Sequence, residues 1–136
     1  MPGYSGTPLP KKLGIKSGFR CILLDATPDV QAELRGALSQ CEVVKEIRDV
    51  LDFAMIFARS QVELKKKFAV AAKCLQPAGM IWVSWPKKSS AVASDLDENI
   101  VRAIGLATGL VDVKVCAVSE VWSGLKFVRR VKDRKK

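Results

Sequence analysis

Short, nearly continuous apolar runs alternate along the chain with longer segments whose apolar residues recur every three or four positions. Phe19 to Leu24 (FRCILL), Leu51 to Ala58 (LDFAMIFA) and Met80 to Trp85 (MIWVSW) are runs of the first kind. They are too short for ordinary helices and predict strands buried on both faces. Helical periodicity follows each one. Thr27 precedes Pro28, whose fixed φ suits a first helical turn, and Val30, Leu34 and Leu38 then share a face, predicting a helix from 28 to about 39 with Thr27 as its cap. Ser60-x-x-Glu63 is a capping-box pattern opening a helix with Leu64, Phe68, Ala72 and Leu75 inward, stopped by Gln76-Pro77-Ala78-Gly79. A third helix is predicted from near Ser94, with Leu96, Ile100, Val101 and Ile104 on its apolar side and Gly109 as its left-handed cap. Val111 to Val118 and Gly124 to Val131 read as a hairpin, with Asp112 and Lys114 on the outer face of its first strand.

Strands alternating with helices predict an α/β fold: a mostly parallel sheet with helices on its faces, finished by an antiparallel pair. Residues 41–50 fit this pattern least. Only Arg48, Asp49 and Val50 separate Val43 to Ile47 from the run at Leu51, whereas a parallel return takes a crossover of about a dozen residues. The segment is therefore expected as a loop, an antiparallel edge or a very short strand. Without a strand leaving on the other side of the first one, the sheet is expected to lack a topological switch point, where α/β sheets open a ligand crevice. Residues 1–10, with three prolines and two glycines, read as a flexible or extended lead-in, 11–131 as one domain and 132–136 as a basic tail.

Composition narrows the chemistry. A chain of 136 residues that is 49% hydrophobic and 27% charged can enclose one core without staples. No stretch reaches the roughly 18 apolar residues of a membrane span, and Met1 to Lys16 lacks the apolar centre of a signal peptide, so a cytoplasmic protein with no membrane partner is expected. Cys21, Cys41, Cys74 and Cys116 are far apart and are expected as reduced thiols. The absence of histidine removes the commonest general base and zinc ligand, so triad hydrolases and typical zinc enzymes drop out, and neither a catalytic residue nor a metal site is assigned. The net charge of +9 suits an anionic partner, although much of the excess lies at Lys11, Lys12, Lys16 and Arg20 and then from Arg129 to Lys136.

The Pro77-Ala78-Gly79 turn before a strand and the closing hairpin at Val111 to Val131 resemble the second half of a class I, S-adenosylmethionine-dependent methyltransferase. Longer stretches, Lys11 to Lys16 (KKLGIK), Trp82 to Lys88 (WVSWPKK), Gly105 to Val118 (GLATGLVDVKVCAV) and Glu120 to Val128 (EVWSGLKFV), are similar to a small bacterial family known only as a domain of unknown function, number three-zero-five-two. These resemblances imply a three-layer Rossmann-like sheet, truncated relative to class I methyltransferases, and S-adenosylmethionine as the cofactor to test. Such a site needs glycine in the turn after the first strand, yet that turn is Asp25-Ala26-Thr27-Pro28. It also needs an acid ending the second strand, for which Glu42, Glu46 and Asp49 are candidates by proximity alone. The expectation is a non-catalytic module binding a small ligand or a partner. Methyl transfer, and nucleic-acid binding through the basic tail, are the alternatives.

If the strands ending at Leu24, Ala58 and Trp85 run parallel, their carboxyl ends share one edge. That edge would gather Asp25 and Thr27, then Arg59 and Ser60, then Trp85, Lys87, Lys88 and Ser89, and Glu120 and Trp122 from the hairpin turn. Helix N-termini near Pro28, Gln61 and Asp95 would offer amides to an anion. Arg59 would pair with a phosphate or carboxylate, and Trp85 or Trp122 would stack on a base. An anionic or nucleotide-like small molecule is the expected ligand. The competing readings are that Trp85 packs, Lys87-Lys88 is a solvated loop, and Ser60 and Thr27 only cap helices; Trp82 is expected in the core. Oligomeric state is left open.

Overall fold

A computed structural model describes residues 7–134. Strands β1 (Arg20–Leu24), β2 (Glu42–Val43), β3 (Leu51–Phe57), β4 (Leu75–Pro86), β5 (Leu110–Ala117) and β6 (Trp122–Arg129) form one sheet in the order β2-β1-β3-β4-β6-β5. The first four are parallel, and β6 runs antiparallel to both β4 and β5. Helices α1 (Leu9–Leu13) and α2 (Pro28–Leu38) lay Leu9, Leu13, Val30 and Leu34 on one face, over Phe53, Met55 and Trp82. Helices α3 (Gln61–Lys73) and α4 (Glu98–Leu106) lay Leu64, Phe68, Val101 and Ile104 on the other, over Ala54, Ile56, Val83 and Leu125. This is the expected mostly parallel, three-layer α/β sheet with an antiparallel C-terminal pair. Because β3 and the second half of β4 are covered on both sides, nearly every residue in them is buried, which is why they read as unbroken apolar runs.

Several local expectations are corrected. Leu9 and Pro10 belong to α1 rather than to a loose lead-in; Leu9 and Leu13 are buried, and the Trp82 indole Nε1 donates to the Leu13 carbonyl at 2.9 Å. Residues 1–6 of that lead-in lie outside the described residues, as do 135–136 of the tail. Helix α3 ends at Lys73, so Leu75 opens β4; Leu51 pairs with Leu75 and Phe53 with Met80, leaving Gln76 to Gly79 bulged out of the ladder. Gly79 is required there, since a Cβ would stand 2.7 Å from Leu75 Cδ1 and 3.0 Å from the Leu51 carbonyl. Helix α4 begins at Glu98, not near Ser94, with the Asp97 carboxylate accepting from the Ile100 amide at 2.8 Å. The hairpin's first strand does not alternate evenly: a register shift after Asp112 leaves Val113 and Val115 exposed.

Residues 41–50 contain a very short strand, one of the forms expected, and the most consequential correction is to the switch point. Glu42 and Val43 pair in parallel with Arg20 and Cys21, so β1 has neighbours on both sides and a switch point exists. The crossover-length rule fails here because β2 is only two residues long. Val43 lies beside Cys21, and Cys21 lies beside Phe53, so the chain leaves β2 close to where β3 begins. Val44 and Ile47 pack on the α3 side of the sheet and cover what a crossover helix would otherwise cover.

Two glycines test this packing in opposite directions. A Cβ on Gly105 would stand 2.0 Å from Phe127 Cε2, and Phe127 is held edge-on against Phe68 at 5.2 Å. Gly105→Ala is expected to lower stability by about 1–3 kcal/mol. Gly36, inside α2 with open space around it, is expected to gain about 0.5–1 kcal/mol as Gly36→Ala. Urea unfolding of the two variants checks both signs.

Candidate functional site

The carboxyl ends of β1, β3 and β4 do share one edge, but the sequence-predicted residues divide between two hollows. Asp25, Thr27, Arg59 and Trp122 line a cavity of about 360 Å³ together with Phe57, Ala58 and Glu63. Trp85, Lys87 and Lys88 line a neighbouring one of about 350 Å³ with Asp97, Glu98, Asn99 and Ser123. Ser60, Ser89 and Glu120 line neither. Both tryptophans are buried, and Trp122 meets Phe57 edge-on at 5.1 Å, so it forms the wall of the first cavity. A wider hollow of about 430 Å³ at the opposite end of β1 contains Arg20, which is paired with Glu42 at 3.2 Å and Asp49 at 3.1 Å.

Backbone and charge are unusual where β1 ends. Asp25 has φ of +61°, the left-handed region, and is the non-glycine residue so placed among those described. Aspartate tolerates this better than most side chains, and such backbone concentrates at functional sites. Its carboxylate is bonded to the ammonium of Lys67, which reaches over from α3 and also holds Glu63 at 2.6 Å. The hydrogen bond from Lys67 is the main reason the Glu63 carboxyl is held below the ordinary carboxylate range. Burial works against the charge on Lys67, but its bonds to Asp25 and Glu63 outweigh that, and its pKa is raised. Sequence reasoning missed Lys67. Its spacing from Glu63, one turn along the same face of a helix, was the signal available.

The helix N-termini differ sharply. At α3, Ser60 Oγ accepts from the Glu63 amide at 3.2 Å, Glu63 Oε1 accepts from the Arg59 amide at 3.2 Å, and Asp95 Oδ1 accepts from the Gln61 amide at 2.9 Å. Ser60 therefore caps α3 as predicted, Glu63 reaches back to the amide one residue before the cap, and a loop carboxylate already occupies the end expected to receive an anion. Asp95 starts no helix; Ser94 straps its own loop to the Arg59 carbonyl at 2.8 Å. At α2, Thr27 sits in the cap position by its backbone, but its side chain makes no capping bond, which corrects the capping expectation. Its Oγ1 is buried and has no hydrogen-bond partner among the described residues. Pro28 has no amide hydrogen to offer, so the first turn of α2 meets the cavity without a side-chain cap. Arg59 is exposed at the rim, and its guanidinium makes no bond to the described residues.

The means by which a methyltransferase site would hold S-adenosylmethionine are not matched by these residues. The turn after β1 lacks glycine. Because β2 stops at the level of Cys21, its acid Glu42 lies beside Arg20 at the far end of the strand, while Asp49 also pairs with Arg20 and Glu46 pairs with Arg48. None of these three reaches the edge where a ribose would need it. The edge is instead spanned by the Asp25–Lys67–Glu63 bridge.

Comparisons with solved structures agree with the fold. A magnesium protoporphyrin IX methyltransferase from Synechocystis PCC 6803 superposes with a TM-score of 0.60 at 12% identity, over 90% of this chain and 78% of that one. A precorrin-6y C5,15-methyltransferase from Geobacter metallireducens gives 0.55 at 9% identity, over 90% and 86%. A fibrillarin pre-rRNA processing protein from Methanococcus jannaschii gives 0.55 at 14% identity, over 90% and 69%. No protein of curated function matches the sequence. Residues 11–131 match the family model described as "Protein of unknown function (DUF3052)". With nearly its whole length matched, the chain belongs to the DUF3052 family and carries a methyltransferase-like Rossmann sheet.

Proposed function

We propose that this chain is a non-catalytic binding module for a small anionic or nucleotide-like ligand, seated at the carboxyl edge of β1 and β3. The observation that carries the reading is the buried, unpartnered Thr27 hydroxyl beside the uncapped start of α2, in a cavity it shares with Arg59. Leaving a buried hydroxyl unsatisfied costs about 1–3 kcal/mol. A phosphate or carboxylate oxygen would satisfy it, gain the dipole of α2 and pair with the guanidinium of Arg59. Asp25 and Glu63 do not repel such a ligand strongly, because Lys67 is shared between them. A volume of about 360 Å³ falls in the range of small-ligand pockets. The four free cysteines suit a reducing, cytoplasmic setting.

Methyl transfer is the second reading, favoured by the switch point that β2 creates beside β1 and by neighbours that are methyltransferases, one of them with bound SAH. Calorimetry against adenine nucleotides, inorganic phosphate and S-adenosylmethionine separates the two. A phosphate-bearing ligand is expected to bind, and Arg59→Ala or Thr27→Val to weaken it tenfold or more. No heat with any of these would overturn the binding module; S-adenosylmethionine bound together with methyl transfer to an acceptor would overturn its non-catalytic part.

Lys67→Met tests the bridge behind the cavity. Without the shared cation, two carboxylates face the same space and anion affinity is expected to fall. Glu63, held below its unfolded pKa, contributes stability above that value and loses it as pH falls through the folded one. The variant should therefore melt lower than the parent at neutral pH, with the gap closing in acid. Thermal melts between pH 3 and pH 7 read this directly, and a pH-independent gap would remove the bridge as its cause.

A further inference from the structure

Away from that cavity, the sheet gathers lysines that nothing in the proposed site uses. Lys114 of β5 lies directly opposite Lys126 of β6, and Lys126 Nζ is 4.0 Å from where a Cβ on Gly14 would stand. Lys16, two residues beyond Gly14, and Lys114 both act on Lys126, whose pKa is lowered by burial first and by these two charges next. Lys12 rests its ammonium on the Ala117 carbonyl at 3.2 Å. Four lysines therefore ring the end of α1. Residues 7–19, 113–118 and 121–128, which contribute to this surface, contain no aspartate or glutamate. Lys16, Lys114 and Lys126 make no ion pair with the described residues; Asp112, nearest along β5, instead holds Arg102 of α4 at 2.9 Å.

An irregularity in the sheet produces this arrangement. Register passes from Asp112 opposite Phe127 to Lys114 opposite Lys126, so Val113 is an extra residue. In an unbroken ladder Lys114 would fall opposite Leu125, on the α4 side with Asp112. The bulge turns it to the α1 side, away from that carboxylate and against another lysine. Bulges re-aim side chains in this way, and like charges placed opposite each other in a sheet are destabilising. A surface that keeps such a pair without a counter-ion among the described residues is suited to an external anion.

We infer that the α1–β5–β6 lysine surface binds the phosphate backbone of a nucleic acid, without reading its sequence. Its donors are ammonium point charges on an open face, suited to tracking a chain of phosphates. Trp82 beneath it is buried, so no stacking platform for bases is offered there. An acidic peptide adding to the β5 edge meets the bulge and Lys114, both of which discourage strand addition. The surface is separate from the expected basic tail: Arg129 donates to the Ala72 and Leu75 carbonyls at 2.9 and 2.8 Å, and Arg130 pairs with Asp133 at 2.9 Å.

The test is fluorescence anisotropy of the full chain with labelled 20-nucleotide single and duplex DNA between 50 and 200 mM salt. For three or four neutralised phosphates, duplex affinity should fall roughly 40- to 150-fold over that range. The combined variant Lys16→Gln, Lys114→Gln, Lys126→Gln should lose most of this salt dependence. Removing equal charge from α3 by Lys65→Gln, Lys66→Gln, Lys73→Gln should leave the slope unchanged. Lys126→Gln alone should fold and melt no lower than the parent while reducing the slope by about 0.9 for duplex, so misfolding of the triple variant would not hide the result. Absence of binding at 50 mM salt, equal losses in the α3 control, or tighter binding to phosphatidylglycerol vesicles than to DNA would each overturn the inference. Saturation by inorganic phosphate at lower concentration than by DNA phosphate would do the same.

Discussion

Alignment of three strands fixes where everything else can go. Cys21 to Leu24 pairs in parallel with Phe53 to Ile56, and Phe53 to Phe57 pairs with Met80 to Ser84, with both faces of this ribbon covered by helices. A slip of one residue would turn every side chain in a strand to the opposite face. Here that exchange would set Phe53 and Met55 against the residues now beneath α3, and Ala54 and Ile56 against those beneath α1. Fixed register places the ends of β1 and β3 together and brings Asp25, Thr27 and Arg59 around one cavity.

Charge at that edge is managed in two ways. At α3, dipole and amides are already answered from within the chain by Ser60, Glu63 and Asp95. At α2 the side chain in the cap position leaves its hydroxyl unused. A helix start completed by its own sequence serves stability, whereas one left incomplete beside a cavity offers its remaining capacity to something else. Lys67 lets both kinds coexist within one small volume.

Double burial made β3 and the inner half of β4 legible, because residues facing two apolar layers leave an uninterrupted hydrophobic signature. Periodicity likewise revealed α2, α3 and the body of α4, and the cap at Ser60 was readable because its partner is local. What depended on distant partners was not. Prolines at positions 8 and 10 argue for loose chain, yet Leu9 and Leu13 become a helix because the sheet offers them a surface. Thr27 has the sequence of a cap, but its tertiary setting withholds the bond. The bulge at Val113 carries no glycine to announce it, so the displacement of Lys114 could not be seen. The shared edge of Asp25, Thr27 and Arg59 was legible because it follows from parallel strand order. The division of the candidate residues between two hollows, and the reach of Lys67, came from side-chain geometry that spacing does not encode.

Helix α1 has five residues, far fewer than the roughly 12 an isolated helix needs to persist in water. It is tied down by burial and by the indole of Trp82, some seventy positions further along, which donates to its Leu13 carbonyl. A segment this short has no structure of its own to contribute: its shape is borrowed from β4, and loosening that strand is expected to release it.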